Sequence, residues 1–248
     1  MLTPTFWEIH SGLEREGPGD EASLMRALAM TEGLPAEPRI LDLGCGPGAQ
    51  TLSLLKHTAG TVTAVDTHQP FLDDLMSRAR DAGVADRVTT SDASMADLPF
   101  EDESFDLIWS EGAIYFIGLP EGLAAWRRLL RPGGWIAVTE PCWLKPREAL
   151  PQGALDNWAE YPAMATVQEL EAVPARAGYR LAGSFVLPPA AWEAYYGPMQ
   201  ARVDVVRARH AGDAAALAEV ARHQAEIDAY RAFGDCFSYL FLVMQRPA

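Results

Sequence analysis

The run Ile40-Leu41-Asp42-Leu43-Gly44-Cys45-Gly46-Pro47-Gly48-Ala49 constrains this chain more than any other stretch. Its apolar opening predicts a buried strand, its three glycines in five residues a sharp turn, and the residues after them a helix. Glycine has no Cβ and tolerates positive φ, so such a turn brings the backbone close to a ligand. Asp42, two residues before the first glycine, narrows which ligand that is.

Two ligand classes compete. Gly44-x-Gly46-x-x-Ala49 satisfies the dinucleotide fingerprint, with Asp66 about the right distance downstream to meet a ribose. The same residues, read as Asp-x-Gly-x-Gly-x-Gly, resemble motif I of the class I S-adenosylmethionine (AdoMet) methyltransferases. An ionised Asp42 would be unfavourable beside two phosphates. AdoMet has no phosphate; it carries an ammonium, a carboxylate and a sulfonium, so a nearby carboxylate is electrostatically sensible.

The remaining sequence bounds the partners. The 248 residues, 49% hydrophobic and 22% charged, suffice for one large domain with a sizeable core. A net charge of −14 disfavours a nucleic-acid substrate, since no basic run offsets it. Cys45, Cys142 and Cys236 form no C-x-x-C pair, and the five histidines show no metal-ligand spacing, so no metal is expected. The first residues lack a basic region followed by an apolar run, and no stretch is long and apolar enough to span a bilayer, so the expected location is cytoplasmic, away from membranes.

Between residues 38 and 140, strand and helix alternate. Strands are expected at 39–43, 61–65, 87–91, 105–110 and 134–140, and helices near 48–58, 69–82 and 119–130. That order predicts an α/β fold with a parallel sheet and its ligand at the carboxyl ends of the strands. A helix near 165–176 leads to a sixth strand ending near Leu187, and Asp235–Gln245 reads as a seventh. Before the first strand, Phe6, Trp7 and Ile9 open an apolar patch, Arg15 to Asp20 form a turn, and Asp20 caps a helix beginning at Glu21. Residues 190–233 carry two helical stripes, one of Met199, Val203, Val206 and His210, the other of Leu217, Val220, Gln224 and Ile227. This helical pair could cover a pocket or form a homodimer interface.

The resemblance covers residues 36–140 closely, and 165–187 with 235–245 more loosely. The segment Asp92-Ala93-Ser94-Met95-Ala96-Asp97-Leu98-Pro99-Phe100 resembles the Asp-Ala-x-x-Leu-Pro-Phe segment of the ubiquinone-biosynthesis-like branch of the family. It departs from that branch in that Ser94 and Met95 stand where the branch has Asp-Ala, and Asp92 falls two residues early. Leu130-Arg131-Pro132-Gly133-Gly134 matches the turn before the family's fifth strand. Other runs look like a bacterial small-molecule branch. The resemblance implies a single domain, 1–248, with a Rossmann-like seven-stranded, mostly parallel sheet, an antiparallel last strand and helices on both faces. In it, 1–35 form an N-terminal helical lid, 36–187 and 234–248 the core, and 188–233 a helical insertion. It implies AdoMet as methyl donor, S-adenosylhomocysteine as product and a small-molecule acceptor. Cofactor contacts fall on Asp42, Gly44, Cys45, Gly46, Gly48, Asp66, Thr67, Ser94, Met95, Ser110 and Glu111.

Glu111 and Tyr115, after the fourth strand, fall nearest the expected methyl group and are the catalytic candidates. Glu111 could act as a base, or its role could be structural, such as pairing with an arginine. Among the histidines, His10 in the lid is the one placed to act as a base. Trp143, Trp158, Trp192, Tyr195 and Tyr196 could form an aromatic wall against an apolar or cationic substrate. An NAD(P)-dependent oxidoreductase and a non-catalytic AdoMet-binding protein are the alternatives.

Overall fold

The computed structural model describes residues 2–248. The chain opens with two short helices, α1 (Pro4–His10) and α2 (Glu21–Leu28). Thr3 Oγ1 accepts from Phe6 N at the start of α1, and Asp20 accepts from Ser23 N at the start of α2, so each first turn has a side-chain cap. The alternating region follows as β1 (Arg39–Leu43), α3 (Ala49–His57), β2 (Thr61–Asp66), α4 (Gln69–Asp81), β3 (Val88–Asp92), β4 (Phe105–Ser110), α5 (Leu119–Trp126) and β5 (Leu130–Trp143). After it come α6 (Gln152–Asn157), β6 (Ala165–Thr166), α7 (Val167–Glu171), α8 (Val173–Arg176) and β7 (Arg180–Val186). Two long helices, α9 (Pro189–Arg209) and α10 (Ala214–Phe233), lead to β8 (Phe237–Gln245).

The strand order is β3-β2-β1-β4-β5-β8-β7; β1 to β5 pair in parallel, and β8 runs antiparallel to both β5 and β7. Side chains alternate between two apolar layers, as a sheet covered on both faces requires. Ile40, Leu107 and Trp109 join the layer that includes Leu54 and Leu72 of α3 and α4, whereas Leu41, Leu43 and Ile108 join Leu123 and Trp126 of α5.

The sheet has eight strands rather than the expected seven. β4 stops pairing with β5 at Ser110↔Val138, but β5 runs on to Trp143. The two-residue β6 takes part of the edge this leaves, through Cys142↔Ala165 and Trp143↔Thr166. Leu130 to Gly134 is not a turn ahead of β5 but an irregular stretch inside it, where the register against β4 shifts and Gly133 N donates to Arg246 O (3.0 Å). The buried stripe of α10 is also rotated from the expected one. Ala216, Val220, His223 and Ile227 face inward, with Glu219 buried against Thr3 and Arg222. No helix among the described residues is long and apolar enough to cross a membrane.

Glu140, buried in β5, accepts from the Tyr161 hydroxyl through Oε1, while Oε2 has no partner. Burial pushes its pKa up to about 7 from 4.5. The native state therefore holds this proton to higher pH than the unfolded chain does, and stability falls as pH rises through that window. Glu140→Gln keeps an acceptor for Tyr161 and removes the titration. Urea melts should show variant and wild type alike near pH 5, and the variant more stable at about pH 8 by up to about 3 kcal/mol. An unchanged pH slope in the variant would contradict this assignment.

Candidate functional site

The chain runs outward from β1 to β2 and β3, then returns to β4 on the other side of β1, so a crevice opens at the carboxyl ends of β1 and β4. The glycine loop after β1 forms its floor. Gly44 N and Cys45 N donate to Val65 O (2.9 and 3.0 Å), Gly46 N donates to Asp66 Oδ2 (2.9 Å), and Gly48 N donates to Cys45 O (3.1 Å). Pro47 has no N–H. A pyrophosphate cradle needs such groups free, and every one from Gly44 to Gly48 is already used.

Asp66 accepts a second bond, from His68 N to Oδ1 (2.9 Å). A carboxylate offers about four lone-pair positions, so each oxygen keeps one for a ligand. Two oxygens with one open position apiece suit a vicinal diol such as ribose. Gly44 lets the loop pass close to the residues after β4: its φ is +69°, and a Cβ there would come within 2.4 Å of Ala113 Cβ.

The cleft encloses about 590 Å³. Its roof comes from α1, where Trp7 stacks on His68 with ring centroids 3.7 Å apart and planes at 6°. The structure brings Gly44, Cys45, Gly46, Asp66, Thr67, Ser94, Met95, Glu111 and Tyr115 together around this space. Three expected ligand residues lie behind it. Asp42 is fully buried and accepts from Thr51 Oγ1 and from Gln50 Nε2 (3.4 Å), tying β1 to α3. Ser110 Oγ donates to Leu43 O (2.8 Å), and Gly48, at φ +94°, packs where a Cβ would strike Leu75.

Arg15 is the one guanidinium lining the cleft among the described residues, and it meets Glu111 (Nη2 to Oε2, 3.7 Å). Glu111 Oε1 accepts from Trp109 Nε1 (2.8 Å), so both carboxylate oxygens are engaged. Burial pushes the Glu111 pKa up, opposed by the charge of Arg15. Tyr115, pushed up to about 12 by burial, stays a hydrogen-bond donor at neutral pH rather than a base.

A further group, unanticipated as a unit, links α1 to α10. His223 Nδ1 lies 2.9 Å from the Glu219 carbonyl, which only accepts, so that nitrogen carries hydrogen. Burial lowers the His223 pKa, leaving it neutral with Nε2 as acceptor. His10 Nε2, 3.0 Å away, therefore donates to it. His10 Nδ1 and Glu16 Oε2 then share one proton, while the buried Glu16 Oε1 has no partner. Burial holds the Glu16 pKa above the usual carboxylate range.

Residues 40–134 match the model of a methyltransferase domain. In this region the chain is similar to AdoMet-dependent methyltransferases. Among its relatives, a dimethylglycine N-methyltransferase of Parasynechococcus marenigrum is 31% identical over 54% of this chain and 50% of that protein. A 27-O-demethylrifamycin SV methyltransferase of Amycolatopsis mediterranei is 30% identical over 54% and 48%. The chain thus spans about half the length of these curated relatives. A solved AdoMet-dependent methyltransferase from Geobacter sulfurreducens, in complex with S-adenosylhomocysteine, shares the fold at TM-score 0.83 and 23% identity, covering 98% of each chain.

The cleft fits a ligand without phosphate. The loop offers no free N–H between Gly44 and Gly48, Asp66 keeps an acceptor position on each oxygen, and Arg15 supplies a cation. Arg15, Glu16 and His223 escaped the sequence reading because the first two looked like turn residues and His223 like one of five scattered histidines. The charged pair immediately before Gly17-Pro18-Gly19 was the available signal.

Arg15→Gln strands the buried Glu111 carboxylate. The expected loss is about 3 kcal/mol at about pH 8 and smaller at about pH 5, because burial raises the Glu111 pKa and Arg15 no longer opposes it. Urea melts at the two pH values check this; an equal loss at both would contradict the ion pair.

Proposed function

We propose that this protein transfers a methyl group from AdoMet to a small-molecule acceptor. The observation that carries the reading is the accounting at Asp66 and the glycine loop, where the backbone donors are consumed and two carboxylate acceptor positions stay open. When bound, AdoMet supplies a methyl group already activated on a sulfonium. Asp66 would hold the ribose hydroxyls, Ser94, Met95 and Thr67 the adenine end, and Arg15 the carboxylate, while Gly44, Cys45 and Gly46 give backbone access. Glu111 acts as a positioning residue that orients Arg15. The protein's task is then to align the reactants and exclude water, which supplies several kcal/mol of barrier reduction.

The roof supports a small acceptor. α1, α9 and α10 close over the cleft through Trp7, Tyr195 and His223. A net charge of −14 argues against a polyanionic substrate. Glu16, linked to His10, is the group best placed to accept a proton from an acceptor, by virtue of its unpartnered buried oxygen.

Isothermal titration calorimetry with AdoMet, S-adenosylhomocysteine and NADH tests the reading. Micromolar binding of both sulfur ligands is expected, weakened roughly a hundredfold in Asp66→Ala as two charge-assisted hydrogen bonds are lost. NADH binding alone would overturn it in favour of the dinucleotide alternative.

A further inference from the structure

A second chamber of about 770 Å³ adjoins the cleft, and the two share Glu16, Gly17, Tyr115, Phe116, Tyr195 and Glu226. Its wall is aromatic: Tyr115 lies 5.8 Å from Tyr161 and 6.3 Å from Tyr239 (ring centroids), and Trp192 lies 5.3 Å from Tyr239. Trp158 completes it, 6.4 Å from Tyr239.

Of the charged side chains around this wall, all but Arg222 are acidic. Glu226 faces both spaces and accepts from the Tyr196 hydroxyl (3.0 Å). Glu160 lines the chamber, and Glu16 presents a buried oxygen without a partner. Glu140, 1% exposed, sits behind Tyr161 with its own second oxygen unpartnered. The cation on the wall, Arg222, is held by both oxygens of Glu219 at 2.6 Å.

An anion would meet uncompensated carboxylates here. A neutral apolar molecule would fill the rings but leave those carboxylates desolvated and unpaired, which is costly. A compact cation gains from the ring faces and the carboxylates together. The negative potential also registers on the phenols: burial pushes the Tyr195 and Tyr196 pKa values well up, and the charge of Glu226 adds to both.

We propose that this chamber is the acceptor site and that the acceptor is an amine, bound in its ammonium form. The proposal rests on the methyltransferase reading and names its substrate class. The relatives do not decide the point, since one is named for transfer to nitrogen and another for transfer to oxygen. In the reaction, the ammonium N–H bond breaks and its proton passes to the free oxygen of ionised Glu16. The nitrogen lone pair released forms the N–C bond to the methyl carbon. The C–S bond breaks with its electron pair left on sulfur, giving a neutral thioether and a methylated ammonium.

The test compares choline with its uncharged isostere 3,3-dimethylbutan-1-ol by calorimetry on protein saturated with S-adenosylhomocysteine. Choline should bind at least roughly tenfold more tightly. Glu226→Gln, an isosteric change at an exposed position, should remove most of that difference. Trp158→Leu should weaken choline while leaving S-adenosylhomocysteine affinity unchanged, because Trp158 does not line the cofactor cleft. A panel of primary and secondary amines should yield S-adenosylhomocysteine from AdoMet, and matching alcohols and carboxylic acids should not. Equal binding of choline and its isostere, or turnover of alcohols but not amines, overturns the amine assignment alone. Failure of S-adenosylhomocysteine to bind overturns the methyltransferase reading and this proposal with it.

Discussion

The pair of hydrogen bonds into the Asp66 carboxylate, from Gly46 N and His68 N, organises everything above the sheet. One bond pins the glycine loop to the end of β2; the other fixes the chain as it enters α4. Together they hold the carboxylate at the crevice with an acceptor position open on each oxygen. The same bonds use up a loop donor that a phosphate would need, so one arrangement leaves acceptor positions suited to a diol and removes a phosphate site. Behind the loop, Asp42 ties β1 to α3 through Thr51 and Gln50, so the first acid of the motif serves the scaffold while the second faces the cleft.

Over this floor the two ends of the chain meet. Glu8 of α1 pairs with Arg209 of α9 and with His210 just after it, Thr3 donates to Glu219 of α10, and His10 donates to His223. The helical pair before β8 therefore roofs the site, the first of the two roles its stripes allowed. It also carries Tyr195 and Glu226, which the cleft and the aromatic chamber share. In the proposed reading the scaffold separates the tasks: strand ends and the glycine loop receive the donor, and the added helices shape the acceptor space.

Much of this was legible because it depends on local pattern. The strand–glycine–helix run, the acid ending β2, the Asp20 cap and the alternating apolar residues each declare themselves within a few positions. What was not legible depends on contacts between residues far apart in sequence. His10 and His223 are separated by 213 positions, and neither shows its partner in its own neighbourhood. Glu111 lines the cleft, but its engagement by Arg15 needs the fold of the first twenty residues. The inward stripe of α10 shifted because Glu219 and His223 are polar residues made buriable by distant partners, which hydrophobic periodicity cannot register.

The central claim is that Asp66, held by Gly46 and His68, is built for a ribose on a phosphate-free cofactor. A crystal structure of the protein soaked with S-adenosylhomocysteine tests it directly. The account predicts both ribose hydroxyls on the Asp66 carboxylate, one per oxygen, with the bonds from Gly46 N and His68 N intact. A ligand bound elsewhere, or a glycine loop reopened with its N–H groups turned to the ligand, would contradict it.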